Sequence, residues 1–182
     1  MEMVAEKSEL REYLEAFGIA IVLALFIITF IAQSFVVQGR SMEPTLHNGQ
    51  RLLVDKLTYR FRPPAAGEIV VFRYPADPRR KFIKRIIGTP GDEVMIRDTV
   101  VYVNGKPLDE PYINAPTYGD WGPRKVPAGR YFVLGDNRNN SDDSRFPDVG
   151  FVDRSLLMGR AIASYWPVGT MGIIRVPESF GR

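Results

Sequence analysis

Lys81-Phe82-Ile83-Lys84-Arg85-Ile86-Ile87 is the stretch on which the fold turns. It is rich in β-branched and aromatic residues and runs into Gly88-Thr89-Pro90-Gly91, the composition of a strand closed by a turn. Alternate side chains of a strand point to opposite sides. Lys81, Ile83, Arg85 and Ile87 therefore share one face, expected to be the wetter one. Phe82, Lys84 and Ile86 share the other, so Lys84 projects between two large apolar groups. Similar short runs flank it: Leu52 to Val54, Ile69 to Phe72, Val94 to Arg97, Val100 to Val103, Tyr131 to Leu134, Ala161 to Tyr165 and Ile173 to Val176. Asp98-Thr99 and Asn104-Gly105 read as hairpin turns, the second with the stronger signature. The body is thus a mostly β domain with antiparallel sheet.

Upstream the pattern changes. Residues 1 to 15 are polar, with Glu2, Glu6, Glu9, Glu12 and Glu15 set against Lys7 and Arg11, which suits a short solvated helix. Ala16 to Gly39 carries no charge. About 20 apolar residues at 1.5 Å rise cover a hydrocarbon layer of ~30 Å, so one transmembrane helix is expected over residues 16–37. A cleavable leader would begin with a basic region, and this one is acidic. Lys7 and Arg11 precede the run and Arg40, Arg51 and Lys56 follow it, so the charge rule leaves the orientation open.

The run ends at Gly39-Arg40-Ser41-Met42-Glu43-Pro44-Thr45-Leu46, where Pro44 forbids a continuing helix. An isolated serine here would ordinarily cap a turn. A lone Lys84 would ordinarily extend its ammonium to water. A third polar stretch, Gly135-Asp136-Asn137-Arg138-Asn139-Asn140-Ser141-Asp142-Asp143-Ser144-Arg145, follows the Tyr131 to Leu134 strand. As a calcium loop it fails, with Arg138 at a ligand position. Its Asp and Arg residues suit a self-bonded scaffold beside a site.

Composition narrows the chemistry. The chain has 182 residues, net charge +3, no cysteine and one histidine, His47. Disulfides, thiolate catalysis and cysteine-ligated metal are excluded, as is any site needing two imidazoles. No dense basic stripe marks nucleic-acid binding.

Taken together, Ser41 to Leu46, Val54-Asp55-Lys56, Gly67 to Phe72, Ile83 to Asp92 and the Gly135 to Arg145 loop resemble the bacterial type I signal peptidases, block by block and in order. The resemblance implies an antiparallel β catalytic domain tethered by one N-terminal transmembrane helix. Residues 1–15 would be cytoplasmic, 16–37 the membrane helix and 38–182 the peptidase domain outside the cytoplasm, with a short hairpin or loop insertion at about 95–130. It implies a serine endopeptidase of the bacterial cytoplasmic membrane that removes signal peptides from exported pre-proteins after small residues of Ala-x-Ala type. Its partners would be those signal peptides, the Sec/Tat-exported substrates that carry them, and the bilayer, with no nucleic acid, cofactor or metal.

By the same resemblance Ser41 is the nucleophile and Lys84 the general base. Ser141 orients Lys84, Asp143 and Arg145 form a stiffening charge pair, and Asp136 and Arg138 share that role. The Ser41 amide is the first oxyanion donor; at Gly39, where some relatives carry a hydroxyl, this chain offers only backbone. The chemistry is consistent, because a lysine serves as a base only when neutral, and desolvation between Phe82 and Ile86 lowers its pKa. Self-cleaving Ser/Lys repressors share the residue pair but carry a DNA-binding segment and an Ala-Gly cut site before the serine, both missing here. A non-catalytic tethered β domain would tolerate loss of Ser41 and Lys84.

Overall fold

The computed structural model describes residues 2–27 and 31–181. In chain order the elements are helix α1 (Glu2–Phe26), strands β1 (Ala32–Val36) and β2 (Arg51–Asp55), helix α2 (Thr58–Phe61), then β3 (Ile69–Tyr74), β4 (Asp77–Gly88), β5 (Glu93–Arg97), β6 (Val100–Val103), β7 (Lys106–Pro107), β8 (Trp121–Lys125), β9 (Arg130–Leu134), β10 (Val152–Asp153), β11 (Leu157–Trp166) and β12 (Gly172–Ile173). The larger sheet has the order β1-β2-β11-β3-β4-β9-β10, with β12 on β11, and the smaller one the order β7-β6-β5-β8. Every pairing between neighbours is antiparallel. Stepping across β2, β11 and β3 reverses the direction four times, so β1 and β4 run parallel to each other.

The expectation of one helix over 16–37 is corrected at its C-terminal end. Helix α1 ends at Phe26, and Ala32–Val36 is the edge strand of the larger sheet, registered from Ala32 opposite Asp55 to Val36 opposite Arg51. Gln33 and Ser34 interrupt the apolar run, and Phe35 packs on the core while Val36 is exposed, an alternation a strand satisfies. The charge-free part of α1, Ala16 to Phe26, is roughly 16 Å long at 1.5 Å per residue. Among the described residues no helix is long and apolar enough to cross a membrane. Phe17, Ile19, Val22, Leu23, Leu25 and Phe26 on α1 are nonetheless exposed.

Strand β4 was expected to keep a wet face at Lys81, Ile83, Arg85 and Ile87. Lys81 is exposed, but Arg85 and Ile87 are each 1% exposed. Beyond Ile83 the strand is covered on both faces, because the smaller sheet closes over the second one. Ile87, Val94, Ile96, Val101, Phe132 and Leu134 form a core joining the two sheets. The segment expected as a hairpin or loop over 95–130 is therefore a four-stranded sheet spanning Glu93 to Lys125. Its strand β8 was hidden by Gly122 and Pro123, which read as breakers. Gly122 is required there, with φ of +81° and a position where a Cβ would lie 2.6 Å from the Val94 carbonyl oxygen. The two expected turns hold, with positive φ at Asp98 and Thr99 and at Asn104 and Gly105, as two-residue hairpins demand.

Candidate active site

The turn after β1 is fixed from below. Met42 and Leu46 are buried at 1% and 2% exposure in the core formed with Leu52, Val54, Ile69 and Val71, and the Leu46 amide donates to the Met42 carbonyl. Burying two side chains of this size holds the turn with several kcal/mol of apolar contact, at about 1.5–3 kcal/mol each. Ser41 is left at the surface of that turn. From above, the Asn137 amide donates to the Ser41 carbonyl at 3.0 Å, and Asn137 Nδ2 to the Arg40 carbonyl at 3.1 Å. The loop of residues 135–145 and the 40–46 turn thus clamp one another.

Ser41 meets Lys84 in this clamp. Lys84 Nζ lies 2.7 Å from Ser41 Oγ and donates at 3.0 Å to the Ile83 carbonyl. Lys84 is 4% exposed, with Nζ 5.2 Å from the centre of the Phe82 ring. Burial pushes its amine down to about 8, against the opposing pull of the Asp143, Asp142 and Asp136 charges. At such a value roughly a tenth of the molecules hold a neutral amine at pH 7, against one in a few thousand for a free lysine. In that form the nitrogen lone pair is a base in hydrogen-bond contact with a hydroxyl. His47, the one imidazole, sits over Glu43 with Nδ1 3.8 Å from a carboxylate oxygen and is largely exposed.

The expected supporting residues are brought around this pair in a different wiring. Asp143 is fully buried and is held by Arg145 through two hydrogen bonds of 2.8 and 2.9 Å, while its Oδ2 also accepts from the Gly135 amide at 3.1 Å. Asp136 and Arg138 do not pair with each other. Asp136 receives two bonds from Arg85, at 2.9 and 2.6 Å, and one from Thr45 Oγ1 at 2.6 Å. Arg138 reaches to Glu110 at 2.7 and 2.5 Å and to Thr117 Oγ1 at 2.9 Å. Within the loop Asp143 pairs with Arg145, the Gly135 amide donates to Asp143 and Arg138 Nε donates at 2.9 Å to the Gly135 carbonyl; Asp136 bolts the loop to β4 and Arg138 bolts it to the segment before β8. The two diverge in this way because Asp136 lies toward the strand that carries Lys84 and Arg138 toward the segment that leads into the smaller sheet.

Ser141 lines the same cleft as Ser41 and Lys84, yet among the described residues its buried Oγ has no hydrogen-bond partner. Gly39 has φ of +91°, and its amide donates to Asn48 Oδ1 at 2.9 Å. That amide is spent on the turn, so Gly39 supports the backbone rather than offering a donor to the cleft. Sequence reasoning missed four residues here: Arg85, Thr45, Asn137 and Gly135. A Cβ on Gly135 would lie within contact distance of Ser141 Oγ and 2.5 Å from the Ser41 carbonyl oxygen, so only glycine lets the loop approach. Its place at the strand-to-loop junction was the available signal.

From Ser41 and Lys84 an elongated cleft of about 720 Å³ runs back along β1 and β4. Phe35 to Arg40 form one wall, Arg79 to Ile83 the other, and Leu52 and Val71 the floor. Both walls present strand edge, since the outer side of β1 has no neighbour in the sheet order and β4 pairs with β9 only from Arg85 onward.

Residues 10–166 match the family model described as signal peptidase, peptidase S26. The chain belongs to that family. It is 44% identical over 181 residues to a signal peptidase I of Leptolyngbya laminosa, covering 95% of this chain and 88% of that one. It is 51% identical over 161 residues to a probable signal peptidase I-2 of Synechocystis, covering 85% and 72%. A signal peptidase I of Bacillus licheniformis is 39% identical over 173 residues, covering 89% and 91%. Membership in peptidase S26 makes the chain an enzyme of the bacterial type I signal peptidase group.

Proposed function

We propose that this chain cleaves signal peptides from exported pre-proteins, with Ser41 as nucleophile and Lys84 as general base. The observation that carries this is the Ser41–Lys84 contact of 2.7 Å at a lysine whose pKa burial lowers to about 8. Neutral Lys84 accepts the Ser41 proton, leaving Oγ to attack the scissile carbonyl. The resulting ammonium then protonates the departing amine, and a water activated by the same nitrogen releases the acyl group. A neutral amine has two N–H groups: one goes to the Ile83 carbonyl, and the otherwise unpartnered Ser141 hydroxyl would take the other, aiming the lone pair at Ser41. The Ser41 amide would supply the first donor to the oxyanion. The Asp143–Arg145, Asp136–Arg85 and Arg138–Glu110 pairs hold the parts in place.

The cleft takes an extended peptide as a strand laid between β1 and β4, its backbone paired to their edges and alternate side chains directed at the floor. With Leu52 and Val71 already filling that floor, small residues at the first and third positions before the cut fit best, which supports Ala-x-Ala specificity. The exposed apolar surface of α1 supports a membrane tether, with the peptidase body outside the cytoplasm. Trp166, Val168, Met171 and Ile173, between 53% and 76% exposed, add a second apolar surface suited to the bilayer interface.

The test is cleavage of a pre-protein whose signal ends in Ala-x-Ala by detergent-solubilised full chain, with the new N-terminus sequenced. Cleavage directly after the second Ala is expected, and Phe at that position should block it. Equal cleavage of the two substrates, or cleavage undiminished in Ser41→Ala, would overturn the reading.

A further inference from the structure

At the opposite end of β1 from Ser41 lies a second cavity, of about 190 Å³, that the reaction does not use. Its floor is Pro64, Leu157 and Met158, and three cations stand around it: Lys56, Arg60 and Arg154. Arg154 is fixed in place, since its Nη2 donates at 2.8 Å to the Tyr59 carbonyl. Among the described residues no carboxylate lines the cavity. The acids nearby are committed elsewhere: Asp55 to the Leu57 and Thr58 amides and the Thr58 hydroxyl, and Glu68 to Arg62, Arg160, Tyr59 and the Ala65 amide. Arg60 and Arg154 therefore present positive charge above an apolar base.

Its location is as informative as its charge. The Lys56 amide donates at 2.9 Å to the Ile31 carbonyl, one residue before β1 begins, so the cavity opens where the apolar N-terminal segment joins the β domain. Next to Arg60, Phe61 is 81% exposed at the end of α2, an aromatic side chain with no core to enter. Cations, an apolar floor and a bare aromatic at the root of an apolar segment match the layered chemistry of a bilayer surface, where phosphate lies above acyl chain. A soluble anion would use the charges and leave the rest without purpose.

We propose that this cavity binds the headgroup of an anionic phospholipid, Arg60 and Arg154 engaging the phosphate, with Phe61 entering the acyl region beside it. The proposal rests on the membrane-tether reading above. The occupant would fix the height and tilt of the β domain over the bilayer, since the bond to Ile31 links the cavity rigidly to β1 and so to one wall of the cleft.

The test uses full chain in a neutral detergent, titrated with phosphatidylglycerol or with phosphatidylcholine of the same acyl chains, retained lipid being counted by native mass spectrometry. Phosphatidylglycerol should be retained at least tenfold more tightly. Each basic side chain at an anionic surface contributes about a factor of five, so the double variant Arg60→Gln, Arg154→Gln should lose about twenty-five-fold. Arg60→Gln alone, which touches no internal hydrogen bond in the cavity wall, should lose about fivefold and guards against a folding defect from the Arg154 change. Cleavage of a short soluble peptide should be unchanged in both variants. Equal retention of the two lipids, undiminished retention in both variants, or displacement of the lipid by millimolar inorganic phosphate would each overturn the proposal. Flotation of wild-type chain with pure phosphatidylcholine vesicles separates the two ideas, for failure there removes the tether while the lipid titration still decides the cavity.

Discussion

Lys84 and Arg85 are neighbours on one strand, both cationic and both buried, and they have opposite fates. Arg85 points toward the 135–145 loop and finds Asp136 with two hydrogen bonds, plus the Gly67 carbonyl at 2.8 Å and the Tyr112 ring at 4.2 Å. Lys84 points the other way and finds a serine, a carbonyl and the face of Phe82. A buried cation that touches a carboxylate keeps its charge and becomes structure. A buried cation held off from hydrogen-bond contact with any carboxylate is destabilised in its charged form, which suits Lys84 to the base role proposed above. The protein places both on adjacent residues because a strand sends successive side chains to different environments.

Exchanging the two side-chain types is the harshest way to break this contrast. Lys84→Ala should lower kcat by 10²- to 10⁴-fold or more with the domain still folded, and Lys84→Arg should be no better, since a guanidinium does not give up its proton in a protein. Ser41→Ala should match it, and the double variant should be little worse than either, as expected of groups acting as one unit. Near wild-type turnover by Lys84→Arg would erase the distinction between the two cations. At Arg85 the demands are reversed. Asp136→Ala should cost about 3–5 kcal/mol in denaturant unfolding, because it strands a buried charge, whereas Arg85→Lys keeps the charge and should cost less. If Asp136→Ala unfolds at the wild-type midpoint, the pair is not structural.

Gly135→Ala tests the approach of the loop to both residues of the pair. The added methyl must displace Ser141 or the Ser41 carbonyl, so kcat should fall by about tenfold or more with a smaller change in KM; an unchanged kcat would show that the loop yields freely. The gentlest probe is the pH profile. In the proposed mechanism activity requires the neutral amine, so it should rise with pH through a midpoint near 8 and be lost as acid protonates Lys84. Asp142 is exposed and favours the ammonium, so Asp142→Asn should move that midpoint lower by a few tenths of a pH unit. A shift upward would reverse the assigned sign of its influence.

The sequence made some of this plain and hid the rest for reasons that are physical. Ile69 to Phe72 and Lys81 to Ile87 were legible because β-branched runs bounded by turn residues have few other uses, and the pairing of Asn104 with Gly105 marks a hairpin by its backbone demands. The end of α1 was not legible. Ala32 to Val36 carries no charge and adjoins an apolar run, so it reads as more helix, and its pairing with β2 makes it a strand. Strand β8 lay in a stretch read as loop because Gly122 and Pro123 weaken local propensity, whereas pairing to β5 makes it a strand. Ser41 and Lys84 were legible as types, but the alternate-face argument misjudged Arg85. It assumed that charge means water, and Asp136, fifty-one positions away, supplied the partner that a local pattern does not reveal.

Tyr112 has a consequence in time. Its ring lies 4.2 Å from Arg85, 5.9 Å from Arg138 and 5.9 Å from the ring of Phe180, while its hydroxyl bonds to Glu110 at 2.7 Å. Gly67, whose carbonyl Arg85 also holds, has Val176 and Phe180 packed against it so closely that a Cβ would not fit. Ser41 and Lys84 leave the ribosome early, but the residues that cover their supports leave it near the end of synthesis. The surroundings of Ser41 and Lys84 are therefore completed late, and a nascent chain halted before residue 176 lacks the Val176 and Phe180 packing behind Gly67 and Tyr112.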